Sequence, residues 1–302
     1  MSELTTIDTN NYAAMAQAMG IANEKSSSSS SSSLARLRIN HSPIMGVVDV
    51  NGKKVNAAVV DGGTYKLEIP DGPTYYASEI KIRPFLQRFM YKRFVQASGK
   101  SPNRYIKSIM TTDAKMESDL KDNDGGFNCG KTAGYIKDFK ALPEKMQDLL
   151  KAIKRVRVIL GTVEMINPTD DKGNPVDIQD TPFVWEIDNR DAFKELGNSF
   201  ATLAKMSLLP IHHIISLKCD ERKIPTGASY YVPLAALDIT NKLELGKEEN
   251  TLFGDFVAWV DNYNSYILNS WSEKANAHMS DDDVDVVDGI VDIEIDDDEE
   301  AA

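Results

Sequence analysis

Short runs with β-strand character, separated by strong turn signals, make up the first part of the body of this chain. The runs LARLRI (34–39), IMGVVDV (44–50), VNAAVV (55–60) and TYKLEI (64–69) are bounded by glycine, proline, asparagine or aspartate. The Asn51-Gly52 pair between two of these runs predicts a tight hairpin. Strands this closely spaced leave no room for crossover helices, so we expect a small antiparallel sheet or barrel rather than βαβ units.

Two amphipathic patterns later in the chain predict helices that cover this sheet. Asp188-Asn189 is a suitable cap for a helix over roughly 190–206, and a second helix is predicted from about 247 to about 274. Strand character returns at 156–166, 183–187, 211–218 and 228–239. The predicted fold class is therefore α+β, with a β-rich body and a few covering helices.

Both ends of the chain differ in composition from the body. Residues 5–21 have a weak helical pattern, and the eight serines at 26–33 predict a flexible linker. The segment 280–302 holds twelve acids and no base, and removing these from the 46 acids of the chain leaves 34, equal to its 34 bases. We therefore expect a flexible N-terminal arm at 1–33, a β-rich body at 34–279 and a disordered acidic tail at 280–302.

Several protein classes are disfavoured by simple features of the sequence. No apolar run approaches the roughly 18–20 residues that cross a bilayer. The N-terminus lacks the basic start and apolar stretch of a secretory signal. Two cysteines, Cys129 and Cys219, make no disulfide framework and fit a reducing compartment. These features predict a soluble cytoplasmic protein with no membrane partner.

The most informative segment is YYASEIKIRPFLQRFMYKRF, at 75–94. Between Glu79 and Lys107 there are eight bases and the single acid Glu79. In an extended chain, alternate residues share a face, so the odd positions would alternate bases with aromatic rings. Single-stranded nucleic acid suits such a face, because cations offset phosphate charge and rings stack on bases. In the alternative interpretation Pro84 begins a short helix, and Phe85 and Phe89 belong to the core.

This pattern, together with the basic positions that follow it, predicts a nucleic-acid-binding site. Lys131, Tyr135 and Lys137 are included because they carry the same mixture of bases and rings farther along the chain. The predicted contact residues are Lys81, Arg83, Phe85, Arg88, Phe89, Tyr91, Lys92, Arg93, Arg104, Tyr105, Lys107, Lys131, Tyr135 and Lys137.

A competing motif lies at GGFNCGKT, where Gly125 and the Gly130-Lys131-Thr132 triplet match a phosphate-binding loop. Such a loop works between a buried strand and a helix, but the residues before it, SDLKDND, are too polar for a buried strand. The cysteines and histidines lack metal-ligand spacing, and the acids of the 167–182 segment sit where turn residues are ordinary. We therefore expect no catalytic residues, no metal site and no cofactor, and the chain is predicted not to be an enzyme.

The neutral body with basic and aromatic positions, followed by an acidic tail, resembles the single-stranded DNA-binding proteins of tailed bacteriophages. The segments DLKDNDGGFNCGKTAGYIKDFKALP, NPTDDKGNPVD and ERKIPTGASYY are also similar to poorly characterised proteins of marine cyanobacterial phages. The resemblance implies an OB-like barrel that presents Arg83, Phe85, Phe89, Tyr91 and Arg93 to DNA. It further implies a role in replication or recombination, with partner proteins recruited through the tail.

Two departures from that class concern the way partners are bound. The tail ends in Glu299-Glu300-Ala301-Ala302, without the terminal aromatic residue of several members, and the cysteine and histidine ligands of the zinc-containing members are missing. The tail also offers a second possibility, autoinhibition, since its charge competes with phosphate for the same cations. Two other functions stay open: a phage structural or assembly protein with a solvated tail, and a P-loop NTPase or magnesium-dependent nuclease.

Overall fold

The computed structural model describes residues 34–50, 52–96, 102–113, 120–125, 139–225 and 227–274. The predicted N-terminal arm, the serine linker and the acidic tail lie outside these ranges. So do three of the predicted contact residues, Lys131, Tyr135 and Lys137.

Strands are the commonest secondary structure of the described chain, and they belong to two sheets. A nine-stranded sheet has the order β11-β10-β6-β8-β9-β1-β4-β5, with β7 paired to β6, while β2 and β3 form a separate two-stranded sheet. The strands are β1 Ala35–Asn40, β2 Ile44–Val50, β3 Lys53–Val60, β4 Thr64–Glu68, β5 Thr74–Ala77, β6 Glu79–Val95, β7 Arg104–Lys107, β8 Ile153–Ile166, β9 Thr181–Ile187, β10 Ile214–Lys223 and β11 Ser229–Asp238.

The large sheet is open, and all of its ladders are antiparallel except the short parallel pairing of β1 with β9. Its path begins at β11 and ends at β5, and these two described strands are not paired with each other. The β-rich α+β class is thus confirmed, whereas the OB-like barrel is not. The sheet nevertheless curls strongly. The Tyr65 hydroxyl of β4 donates to the Lys218 carbonyl of β10 over 3.2 Å, although four strands lie between β4 and β10 in the sheet order.

Within the described residues, three α-helices pack with the sheet: α1 Glu144–Ala152, α2 Arg190–Lys205 and α3 Lys247–Lys274. The Asn189 side chain accepts hydrogen bonds from the backbone N–H groups of Asp191 and Ala192, which satisfies two free donors at the start of α2. The two helices predicted from sequence are confirmed as α2 and α3, and the strand predicted to begin at 211 instead begins at Ile214, after a 3₁₀ turn at Pro210–His212. The helix α1 was not predicted.

The predicted hairpin is confirmed as the β2–β3 sheet. Gly52 adopts a φ of 78°, and its N–H donates to the Asp49 carboxylate over 2.7 Å. A positive φ at this turn position suits the twist of the two strands, and glycine adopts it without a steric cost.

The two faces of the large sheet bury two different apolar clusters. The inner face encloses one cluster and packs against Ala192 and Leu196 of α2. The outer face carries the other cluster and packs against Phe256 and Val260 of α3. The largest fully buried inner side chains are Leu37, Tyr65, Leu67, Ile80, Ile82, Ile159 and Phe183.

A β-bulge in the middle of β6 determines which side chains reach which face. Pro84 pairs with Gly161 of β8 and Leu86 pairs with the next residue, Leu160, so Phe85 is an extra residue with no partner in the ladder. Before the bulge the even residue Ile82 belongs to the inner cluster, and after it the even residue Met90 belongs to the outer cluster. The segment 84–94 is therefore a strand rather than a helix, but its odd residues do not share one face.

Gly161 is required at this bulge because the two backbones approach closely there. A Cβ at position 161 would overlap the Arg83 carbonyl oxygen and lie 3.0 Å from Pro84 Cα. Both of these neighbours are backbone atoms within the longest ladder of the sheet, so neither can move aside without disturbing the register.

We predict that Gly161→Ala destabilises the protein by about 1–3 kcal/mol, the usual cost of overpacking. The matched control is Gly254→Ala in α3, where an added Cβ meets nothing within 4 Å. That substitution should stabilise the protein by up to about 1 kcal/mol, the difference in helix propensity. Chemical denaturation of the two variants measures both effects, and equal changes in unfolding free energy would contradict the role assigned to Gly161.

A candidate nucleic-acid interface

The aromatic residues of the predicted contact face lie in the core. Phe85, Phe89 and Tyr91 are only 6%, 5% and 3% exposed. The Phe85 ring packs edge-to-face on Phe256 of α3 at 5.4 Å, whereas the Phe89 ring packs on Phe193 of α2 at 6.1 Å. The two rings therefore point to opposite faces of the sheet, and they contribute to its two cores rather than to a shared surface.

The first cations of the predicted face lie in an acidic cavity of about 680 Å³ beside the start of α3. Lys81 pairs with Glu164 at 3.2 Å, and the Arg83 guanidinium pairs with Glu249 at 3.3 Å. Arg83 also donates to the carbonyl oxygens of Ile211 and Glu244, each at 2.7 Å. Five acids line this cavity against these two bases: Glu164, Asp180, Asp238, Glu248 and Glu249. The net negative charge of this cavity therefore disfavours the binding of phosphate.

The opposite end of β6 borders a basic cleft. The parallel strands β1 and β9 share only two register pairs, Ala35 with Phe183 and Arg36 with Val184, and a cleft of about 620 Å³ opens beyond them. Four bases line it against two acids, Glu186 and Asp188. The bases of this basic cleft are Arg36, Arg38, Lys92 and Lys107.

The two acids of the basic cleft hold its lysines in place. Lys107 Nζ lies 2.8 Å from Glu186, and Asp188 lies 3.0 Å from Lys92 Nζ and 3.5 Å from Lys154 Nζ. Burial alone would raise the pKa of Asp188, but the two lysines outweigh it and the pKa lies below its usual value. The exposed Arg36 and Arg38 point outward from β1 on either side of the buried Leu37, and Arg38 Nε also lies 3.6 Å from a Glu68 carboxylate oxygen.

An exposed pair of aromatic rings stands next to the basic cleft. Phe94 and Tyr105 are cross-strand neighbours on β6 and β7, with ring centroids 5.0 Å apart. They are 43% and 52% exposed, and Lys92 Nζ lies 5.5 Å from the Tyr105 ring centroid. Exposed rings beside cations can stack on unpaired bases while the cations contact phosphate.

Only part of this surface is predicted from sequence. Lys92, Tyr105 and Lys107 belong to the predicted contact residues and lie together, whereas Phe94 is not among those residues. Arg36 and Arg38 are also missing from the prediction, although two arginines at alternate positions of a strand indicate one charged face.

The remaining described cations of the prediction are scattered. Arg104 pairs with Asp124 at 3.0 Å, and Arg88 donates to the Gln87 carbonyl at 2.9 Å. The Nε atom of Arg93 is buried and has no hydrogen-bond partner among the residues that the structure describes. None of these three lines the basic cleft.

Arg157 of β8 is a buried cation that serves the core. It is 7% exposed and bonds Gln87, and its guanidinium lies 4.4–5.6 Å from the ring centroids of Phe89, Phe193 and Phe200. Burial, reinforced by the neighbouring Arg155, lowers the pKa of Arg157 to about 10. Cation–π contacts with three rings offset part of the desolvation cost and join β6, β8 and α2.

The phosphate-loop match at 125–132 falls almost wholly outside the described residues, which include only Gly125. The described stretch before it, 120–124, contains an isolated antiparallel bridge from Asp122 to Ser108 and no regular strand. The buried strand that such a loop needs is thus missing from this stretch.

Other types of site receive no support within the described ranges. No three metal-ligating side chains cluster there. None of the helices that the structure describes is long and apolar enough to cross a membrane. Comparisons of the chain with protein-family models, curated proteins and solved structures find no match.

We predict that Asp188→Asn lowers the unfolding free energy at pH 7, because it removes the partner of Lys92 and Lys154. Since the folded-state pKa of Asp188 is depressed, its contribution is complete above the unfolded value near 3.9 and is lost as the pH falls through the folded value. The difference between the variant and the parent should therefore shrink as the pH approaches about 3. Denaturation curves of the variant and the parent, recorded at pH 7 and near pH 3, measure this difference in unfolding free energy.

The matched control is Asp148→Asn, which removes an ion pair to Lys151 whose side chains are 67% and 59% exposed. Such an exposed pair contributes little, so this variant should differ from the parent by a small amount at either pH. If Asp188→Asn lowers the unfolding free energy equally at both pH values, the stabilising role given to the Asp188 carboxylate is contradicted.

Proposed function

We propose that this chain binds single-stranded DNA through the basic cleft and the adjacent Phe94–Tyr105 ring pair, and that it acts in phage DNA replication or recombination. The observation that carries the proposal is the exposed pair of rings, Phe94 and Tyr105, on neighbouring strands beside a cleft with a net positive charge. The organisational resemblance to acidic-tailed phage proteins supports the same function.

A single strand fits this surface better than a duplex. Only an unpaired base can lay its face on the Phe94 or Tyr105 ring, whereas the bases of a duplex are already stacked on each other. Arg36 and Arg38 lie on the same side of the cleft and could then contact successive phosphates. Lys92 and Lys107 are more constrained, because contact with phosphate must compete with Asp188 and Glu186, and Arg38 must likewise compete with Glu68.

The second candidate is a structural or assembly protein. The burial of Phe85, Phe89 and Tyr91 favours it, because these rings explain the aromatic richness of 75–94 through core packing alone. Under this alternative the exposed rings and arginines would form a protein interface, and oligonucleotides would not bind.

We predict salt-dependent binding of oligo-dT, measured by fluorescence anisotropy at two salt concentrations. Arg36→Ala combined with Arg38→Ala should flatten the slope of log affinity against log salt by about 1.4, since each phosphate contact on a single strand contributes about 0.7. The control pair, Lys81→Ala with Lys218→Ala, also removes two cations but lies at the acidic end of the sheet. Its slope should equal that of the parent.

The same titration separates stacking from core packing. Phe94→Ala with Tyr105→Ala should lower affinity by a similar factor at both salt concentrations, because stacking releases no counterions. Phe85→Ala with Phe89→Ala should instead lower the melting temperature, because both rings fill the cores. If the parent shows no salt-dependent binding of oligo-dT at micromolar concentration, the structural alternative replaces this proposal.

The acidic tail is proposed as a competitor for the same cations or as a recruiting segment for partner proteins. The last described residue, Lys274, donates to the Asn123 carbonyl at 3.2 Å, and the Asn123 side chain accepts from the backbone N–H of Lys107 at 2.9 Å. The tail thus follows a helix end that lies beside β7, close to a base of the cleft.

We predict that truncation after Met279, which removes twelve acids, raises affinity for oligo-dT. The increase should be largest at low salt, where electrostatic interactions reach farthest. Replacing the acids with their amides in the full chain is the matched control for length, and it should reproduce the increase. Equal affinities for the full and truncated chains at low salt would exclude competition and leave recruitment as the role of the tail.

A further inference from the structure

The parallel strands β1 and β9 diverge and leave two facing edges unpaired. Their second and last register pair is Arg36 with Val184, although β1 continues to Asn40 and β9 to Ile187. Beyond that pair, no strand that the structure describes bonds to either of the facing edges. Free backbone N–H and C=O groups on a strand edge are a template for a further strand. We name the part of the basic cleft between 37–40 and 185–187 the open seam.

The two sides of the open seam differ in chemistry. Leu37 of β1 and Ile187 of β9 belong to the inner apolar cluster. Arg38 and Glu186 alternate with them along the strands and therefore point to the outer side, where Lys107 lies 2.8 Å from Glu186. A strand that fits the open seam must alternate in the same way, with apolar residues inward and with charges outward that suit those of the outer side.

The outer side of the open seam keeps a positive charge when the neighbouring ion pairs are counted. Four bases line the basic cleft against two acids. Glu68 adds a third acid, 3.6 Å from Arg38, but it also pairs with Lys66 at 2.7 Å. Asp188 likewise pairs with Lys154, which does not line the cleft. With these partners included, six bases stand against three acids, so the outer side attracts an anionic segment.

Residues 291–296 of the acidic tail have the alternation that the open seam requires. Their sequence is Val-Asp-Ile-Glu-Ile-Asp, in which every odd position is a β-branched apolar residue and every even position is an acid. This period of two is that of a β-strand, and β-branched residues favour strands. The segment therefore combines one apolar face with one face of three negative charges. We name residues 291–296 the alternating segment.

The described chain ends close to the open seam. Lys274 donates to the Asn123 carbonyl, the Asn123 side chain accepts from the Lys107 N–H, and Lys107 contacts Glu186 of the seam. Sixteen residues, 275–290, connect Lys274 to the alternating segment, and an extended chain of this length spans roughly 50 Å. The segment can thus reach the seam of its own molecule, where the short connection gives it a high effective concentration.

We propose that the alternating segment docks in the open seam of the same molecule as an additional β-strand. Its acids then face the bases of the basic cleft, and its apolar residues lie against Leu37 and Ala192, which line the cleft. Its backbone satisfies the free edges of β1 and β9 and joins the two strands through a third. The effect of this docking on DNA rests on the proposed function, whereas the docking itself does not, so the two can fail separately.

We predict that amide hydrogen exchange of the full chain is slowed about tenfold or more at 291–296, because backbone bonds to β1 and β9 protect these groups. Ile293→Pro should abolish this protection and speed exchange at 37–40, since proline removes a donor and leaves the charge unchanged. Val284→Pro, outside the alternating segment, is the matched control and should keep the protection.

Three results of the exchange experiment would overturn the proposal. One is fast exchange at 291–296 in the parent protein, which is expected if the tail only attracts the cations without pairing. Another is protection that survives Ile293→Pro. The third is protection that appears only at high protein concentration, which would assign the seam to the tail of a second copy.

Cysteine pairs test the facing of the docked strand. Oxidation should cross-link Arg38→Cys within one chain to a cysteine at an acid position of the alternating segment: Asp292→Cys, Glu294→Cys or Asp296→Cys. Side chains that share a face on neighbouring strands come within the Cα separation of about 4.4–6.8 Å that a disulfide spans. Ile293→Cys and Ile295→Cys face the other way and should stay at the background of Arg38→Cys alone. Equal yields at both sets of positions, or no cross-link at any of them, would refute the docked strand.

Discussion

The architecture of this protein depends on one close backbone contact, the approach of Gly161 to Arg83 and Pro84 at the bulge where Phe85 is the extra residue of β6. A single extra residue reverses the facing of every side chain that follows it in a strand. Ile82 therefore packs inside the curled sheet, while Leu86 and Met90 pack under α3. The same reversal sends Phe85 and Phe89 to different cores and leaves Phe94 on the surface beside Tyr105.

The bulge also separates the charges along β6 into two environments. Lys81 and Arg83 face an acidic cavity, whereas Lys92 faces a cleft in which bases outnumber acids. Because most of these ion pairs are partly exposed, they contribute modestly to stability, and their larger effect is on where an anion can approach. A chain whose body is neutral overall thus has one surface suited to phosphate and another that repels it.

Local signals in the sequence were enough to predict the β-rich α+β class, the Gly52 turn, and both α2 and α3. Each of these rests on interactions between neighbouring residues, such as the positive φ of Gly52 or the bonds from the Asn189 cap. The bulge and the basic cleft were not predictable in this way, because they depend on partners far along the chain. Gly161 meets Pro84 only in the folded sheet, and Lys107 reaches Glu186 across 79 residues. Strand alternation specifies the facing of a side chain only while the ladder stays regular, and the bulge that interrupts β6 depends on the close approach of Gly161 from another strand.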